Sequence, residues 1–147
     1  AAMEPLWAAA VDSPDDVIRG VAGKAVKEMA YHVRHAGEWV IRLGDGTEDS
    51  AARMQAAVAE LHRFTGEIFE ESEASAALAA EGVLPARAAM RPAWDRVIGM
   101  IFAEAMLEVP EVPYPLTGGR KGLHGEHLGH LLAEMQYLQR AYPGATW

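Results

Sequence analysis

The chain has 147 residues, half of them apolar and about a quarter charged, enough for one domain with a hydrophobic core. It has no cysteine, which excludes disulfides, zinc fingers, thiolate catalysis and iron–sulfur ligation and fits a cytoplasmic protein. The formal net charge of −8 repels phosphate backbones, so no nucleic acid is expected, and the apolar runs are too short to span a bilayer, so no membrane is expected.

Alanine is abundant and β-branched residues are scattered, which favours helix over sheet. Ala1 to Ala10 reads as the second half of a helix whose beginning is missing, with a short element over Leu6 to Val11, so the chain is expected to be a fragment of a longer one. Ser13-Pro14-Asp15-Asp16 is a helix start with Ser13 as N-cap and Pro14 in the first position. The helix runs to Leu43, where Gly44-Asp45-Gly46 ends it. Val17, Val21, Lys24, Glu28, His32, His35 and Trp39 recur at three or four and share one face, whose apolar members point to a core. Gly20 and Gly23 either let a second helix approach closely or mark a weak point.

Thr47-Glu48-Asp49-Ser50 caps the next helix, expected to reach Phe69 with Met54, Val58, Leu61, Phe64, Thr65 and Ile68 as its stripe. Glu70 to Glu73 is a loop into a small helix near Ala76 to Ala80, ended by Gly82. Arg91-Pro92 opens a long segment carrying Trp94, Val97, Ile98, Ile101, Phe102, Ala105 and Met106, stopped by Val109-Pro110. Glu111 to Gly122 is an extended, proline- and glycine-rich connection, and the last helix begins near His124 or Gly125 and ends before Pro143-Gly144. No internal repeat is present. Long helices joined by short turns make an all-α bundle, expected to be a single domain over residues 1–147.

Two constellations carry metal-type side chains. Glu28, His32 and His35 lie on one side of a helix and are either a carboxylate–imidazole ligand set or polar groups satisfied by neighbours such as Arg34 and Lys24. His127, His130 and Glu134, with His124 and Glu126 beside them, form a second stripe, read either as ligands or as an amphipathic boundary with His130 and Glu134 as a surface pair. Carboxylate-bridged di-iron bundles use Glu-x-x-His on each of two helices. Three residues after Glu28, Glu38, Glu60, Glu104, Glu126 and Glu134 stand Tyr31, Ile41, Arg63, Leu107, Gly129 and Tyr137, so that spacing is absent. Gly118-Gly119-Arg120-Lys121-Gly122 is either an anion cradle or a cationic loop that docks on a partner. Tyr137, Tyr142 and Trp147 are aromatics of the interface type or pack the terminus on its own bundle.

The strings Lys27-Glu28-Met29-Ala30-Tyr31-His32-Val33-Arg34-His35, Glu38-Trp39-Val40 and Arg42 to Glu48, and at the other end Gly118 to His124, Glu126 to Gly129 and Leu132 to Arg140, resemble the structural C-subunit family of the bacterial phenylacetyl-CoA epoxidases. The resemblance spans nearly the whole chain. It implies a ferritin-like bundle, here lacking the family's N-terminal helices, and a non-catalytic role. It also implies di-iron in a catalytic partner subunit, and NADPH, flavin and iron–sulfur centres in a reductase component. The other epoxidase subunits are the partners it implies. Glu28, His32 and His35 would then be remnants of a degenerate site, with Tyr31 where a histidine ligand is needed, and Arg120 and Lys121 would contact a partner or CoA phosphates. Apolar helix faces left bare by missing helices imply that the chain alone is unstable or self-associates, burying them against a second copy or a partner.

Overall fold

In the computed structural model, residues 1–146 are described, and among them there are helices and no strand. The α-helices are α1 (Met3–Ala10), α2 (Asp16–Gly44), α3 (Glu48–Leu61), α4 (Glu73–Ala80), α5 (Arg91–Glu104), α6 (Glu126–Met135) and α7 (Tyr137–Ala141). Short 3₁₀ stretches lie at His62–Phe69, Arg87–Met90 and Gly119–Lys121. No helix among the described residues is long and apolar enough to cross a membrane. Packing divides the chain into two compact units, Ala1–Leu116 and Thr117–Trp147. Trp147, one of the aromatics singled out from the sequence, lies outside the described residues.

The first unit has two apolar clusters. Leu6, Phe69, Met90 and Trp94 form one, joining α1 to α5 and both 3₁₀ stretches between. Phe102, Ala105 and Leu107 form the other, against Val40 and Ile41 of α2 and Met54 and Val58 of α3. Ile98 touches both, so α5 is the shared wall. The α5 stripe expected from the sequence is thereby seen from Trp94 to Ala105, while Met106 is exposed.

Several boundaries differ from the sequence reading. The N-cap of α2 is Asp15, not Ser13: its carboxylate accepts from the Val17 and Ile18 amides at 2.9 Å each. Ser13 sits buried before it and accepts the Asp15 N–H. The expected helix from Thr47 to Phe69 keeps its start, a reciprocal capping box between Thr47 and Ser50. It tightens to 3₁₀ at His62, where the Thr65 hydroxyl donates to the His62 carbonyl at 2.7 Å. Leu61 and Phe64 of its expected stripe are exposed. Helix α5 ends at Glu104, before Pro110. Met106 takes a left-handed φ of 54°, Leu107 N–H donates to Phe102 O at 2.9 Å, and Met106 N–H to Ala103 O at 3.2 Å. This is a Schellman closure in which buried Leu107 packs back on Phe102.

The face of α2 assigned to the core is also corrected. Val17, Val21, Lys24, Glu28, His32, His35 and Trp39 do not form the buried side; the apolar members Val17, Val21 and Trp39 are exposed, as are Glu28 and His32. The inward face is Ile18, Ala22, Val26, Met29, Val33, Gly37, Val40 and Gly44, on the opposite side of the helix. Close helix approach occurs at Gly37 and Gly44, not at Gly20 and Gly23, where an added Cβ meets nothing within 4 Å. At Gly44 it would stand 2.9 Å from Ala105 Cβ, so α2 and the end of α5 touch backbone to backbone there.

Candidate functional site

Helix α2 brings Glu28, His32 and His35 to one side of the helix, turned to water, because offsets of four and three keep them together over two turns. They are not buried polar groups. Tyr31 lies among them: its ring meets His32 edge-on at 5.6 Å and stacks on His35 at 5.7 Å with an 11° interplanar angle. The Arg34 guanidinium lies over the Tyr31 ring at 5.7 Å, and Arg42 over the Trp39 ring at 5.1 Å. The tyrosine that breaks the Glu-x-x-His spacing therefore organises the imidazoles by ring contact.

His127, His130 and Glu134 fall on α6 and are exposed, as are His124 and Glu126 at its start. Among the described residues no group of three or more His, Asp or Glu side chains is placed to hold a metal ion. A di-iron centre needs inward carboxylates and imidazoles converging from several helices, and these groups are turned to water on single helices.

Arg120 and Lys121 occupy the 3₁₀ turn Gly119–Lys121, flanked by Gly118 and Gly122 at φ of 98° and 85°. The Lys121 and Leu123 amides both donate to Gly118 O, at 2.8 and 3.0 Å, and Gly122 N–H donates to Gly119 O. Those N–H groups close the turn on itself, so they do not cradle an anion. Both cationic side chains are exposed.

One concave feature escaped the sequence reading. A groove of about 270 Å³ lies between α2, α3 and α5, lined by Val40, Met54, Val58, His62, Trp94 and Phe102 among others. His62 is its imidazole, 6.1 Å from the Trp94 ring centre and 6.4 Å from that of Phe102. The available signal was position: His62 follows Val58 by four, continuing the inward stripe of α3.

With these faces described, comparison with known proteins is direct. The family model described as phenylacetic acid catabolic protein matches residues 1–147. The chain belongs to that family. A relative from Escherichia coli (strain K12), the C-subunit of the 1,2-phenylacetyl-CoA epoxidase, is 44% identical over 142 residues. The match takes in 97% of this chain and 57% of the relative, so the chain spans little more than half its relative's length. The all-helical architecture is that of the ferritin-like bundles to which the family resemblance pointed.

Proposed function

We propose that the chain is a non-catalytic structural subunit of a phenylacetyl-CoA 1,2-epoxidase in aerobic phenylacetate breakdown, working in the cytoplasm beside a di-iron catalytic subunit. The observation that carries this is the 44% identity to an epoxidase C-subunit over nearly the whole chain, together with Tyr31 where a Glu-x-x-His ligand pair would need histidine. The cofactors of the reaction lie elsewhere on this reading: iron in the catalytic subunit, and NADPH, flavin and iron–sulfur in the reductase. This chain contributes contact surface. Arg120 and Lys121 offer positive charge, and the exposed Leu131, Met135 and Leu138 of α6 and α7 offer an apolar patch of the kind that marks protein interfaces.

The test is co-expression of an untagged chain with the catalytic subunit, followed by metal analysis and epoxidation assays with phenylacetyl-CoA, O₂ and the reductase. The expected result is a stable complex whose iron follows the catalytic subunit and whose activity falls when this chain is withheld. Stoichiometric iron or manganese in the chain purified alone would instead establish a metalloprotein built on Glu28, His32, His35, His127, His130 and Glu134.

A further inference from the structure

Residues 70–86 leave the core and return to it at nearly the same place. Phe69 before them and Met90 after the return are buried in one apolar cluster, and the 3₁₀ stretches His62–Phe69 and Arg87–Met90 pack on each other. Between these anchors stands α4, and no residue of it is buried. No element of the fold packs extensively on it. Its ends are closed by its own segment. Ser72 and Ser75 form a reciprocal capping box at the start. At the end, Gly82 takes a φ of 69°, its N–H donates to Ala79 O at 3.1 Å, and the Val83 N–H donates to Leu78 O at 2.9 Å, a Schellman closure. A helix of eight residues does not hold itself in water, because nucleation outweighs so few hydrogen bonds, so α4 depends on what ties its segment to the core. One such tie crosses the neck. The Glu71 carboxylate accepts the Ser75 hydroxyl with one oxygen and the Arg87 amide with the other, each at 2.5 Å. It thereby joins the first turn of α4 to the point where the chain comes back.

We propose that residues 72–86 form a flap that opens and closes as one unit on a core that stays folded, with Glu71 as its latch. Opening breaks the latch, the capping box and the hydrogen bonds of α4 together, because a helix this short does not persist in part. It leaves Phe69 and Met90 seated, so neither apolar cluster has to come apart. The flap is therefore the least stable level of the first unit, below α2 and α5, which open only with the core.

Hydrogen exchange of the whole chain over a series of low urea concentrations tests this, read on the amides from Ser75 to Leu84 and on those of α2 and α5. In the wild-type chain the flap amides are expected to share one opening constant, about tenfold or more above that of α5. Its urea dependence is shallow because little surface is exposed, whereas that of α2 and α5 is steep. Glu71→Ala is expected to raise the flap's opening constant about fivefold, the scale of the hydrogen bonds it removes at an exposed position. Glu70→Gln removes the same charge one position away and is expected to leave that constant unchanged. Unchanged helical circular dichroism shows that each variant folds. Flap amides that open with the constant and urea slope of α5 overturn the proposal, because the segment is then part of the core unit. So do flap amides without protection in the wild-type chain, and flap amides that each exchange through a separate opening. A Glu71→Ala chain that exchanges like wild type, or no faster than Glu70→Gln, overturns the role of the latch and with it the proposal.

Discussion

At Gly44, the side chain that is missing matters more than any that is present. A Cβ there would stand 2.9 Å from Ala105 Cβ and closer still to the Ala105 carbonyl, with backbone on both sides and no flexible group to yield. Gly44→Ala is therefore expected to lower stability by about 1–3 kcal/mol, the range for overpacked sites. Gly23 is the opposite case: it lies inside α2 with open space around it. Gly23→Ala is expected to raise stability by about 0.5–1 kcal/mol through helix propensity and the unfolded chain. Urea unfolding of both variants checks the pair, and a Gly44→Ala protein as stable as wild type would mean that the two helices do not touch there. Glu71 supplies a pH response at the same scale. Its carboxylate accepts the Ser75 hydroxyl and the Arg87 amide, each at 2.5 Å, and these bonds hold its pKa below the ordinary glutamate value. Because the folded-state pKa is the lower one, the tie between α4 and the 3₁₀ stretch Arg87–Met90 is complete above the unfolded pKa. It is lost as pH falls through the folded value. Wild-type and Glu71→Gln proteins should therefore differ in melting temperature at pH 7 and converge in acid below the usual carboxylate range.

Among the elements, α2 is the one that sequence periodicity placed well and oriented wrongly. Its length and end were readable because Asp15-Asp16 and Gly44-Asp45-Gly46 are strong punctuation. Its buried side was not, because both faces carry apolar residues. Val17, Val21 and Trp39 lie outside, whereas the inward face sets Ala22, Gly37 and Gly44 among Ile18, Val26, Met29, Val33 and Val40, and the two later glycines let α5 come close. Amphipathicity identifies a core face only when one side is polar. The end of α5 is illegible for another reason: the left-handed position that closes it is held by Met106, not by glycine, so the downstream proline is the stop signal that the sequence offers. The start of α2 remains the best single handle on its stability. Asp15 satisfies two amides of the first turn and places a negative charge at the positive end of a 29-residue helix. Asp15→Ala is expected to cost about 1 kcal/mol, and Ser13→Ala should act instead through packing, as Ser13 caps nothing in the helix. Thermal melts of the two variants, with Asp15→Asn recovering most of the loss, separate a capping role from a burial role.

For the whole molecule, the sequence carried the helical class and the family strings, and in it no glutamate is followed by histidine at the third position. It did not carry the division of labour between the units, because that depends on which stripes find partners. Every residue of both apolar clusters lies within Ala1–Leu116. That unit closes itself: Leu116 N–H donates to Arg63 O at 2.9 Å, and the Gln55 side-chain amide exchanges two hydrogen bonds with the Glu108 backbone at 2.8 and 3.0 Å. The second unit, by contrast, exposes Leu131, Met135, Tyr137, Leu138 and Tyr142 along its helices. A chain ending at Leu116 is therefore expected to melt cooperatively within about 5 °C of the intact chain, a shift equivalent to roughly 1 kcal/mol. It should lose only the ellipticity of α6 and α7. If those helices and the Arg120–Lys121 turn supply the contact surface, the shortened chain should no longer co-purify with the catalytic subunit. A melting point lowered by about 15 °C would show that residues 117–147 complete the core. Undiminished capture of the catalytic subunit by a well-folded shortened chain would move the contact surface onto the first unit.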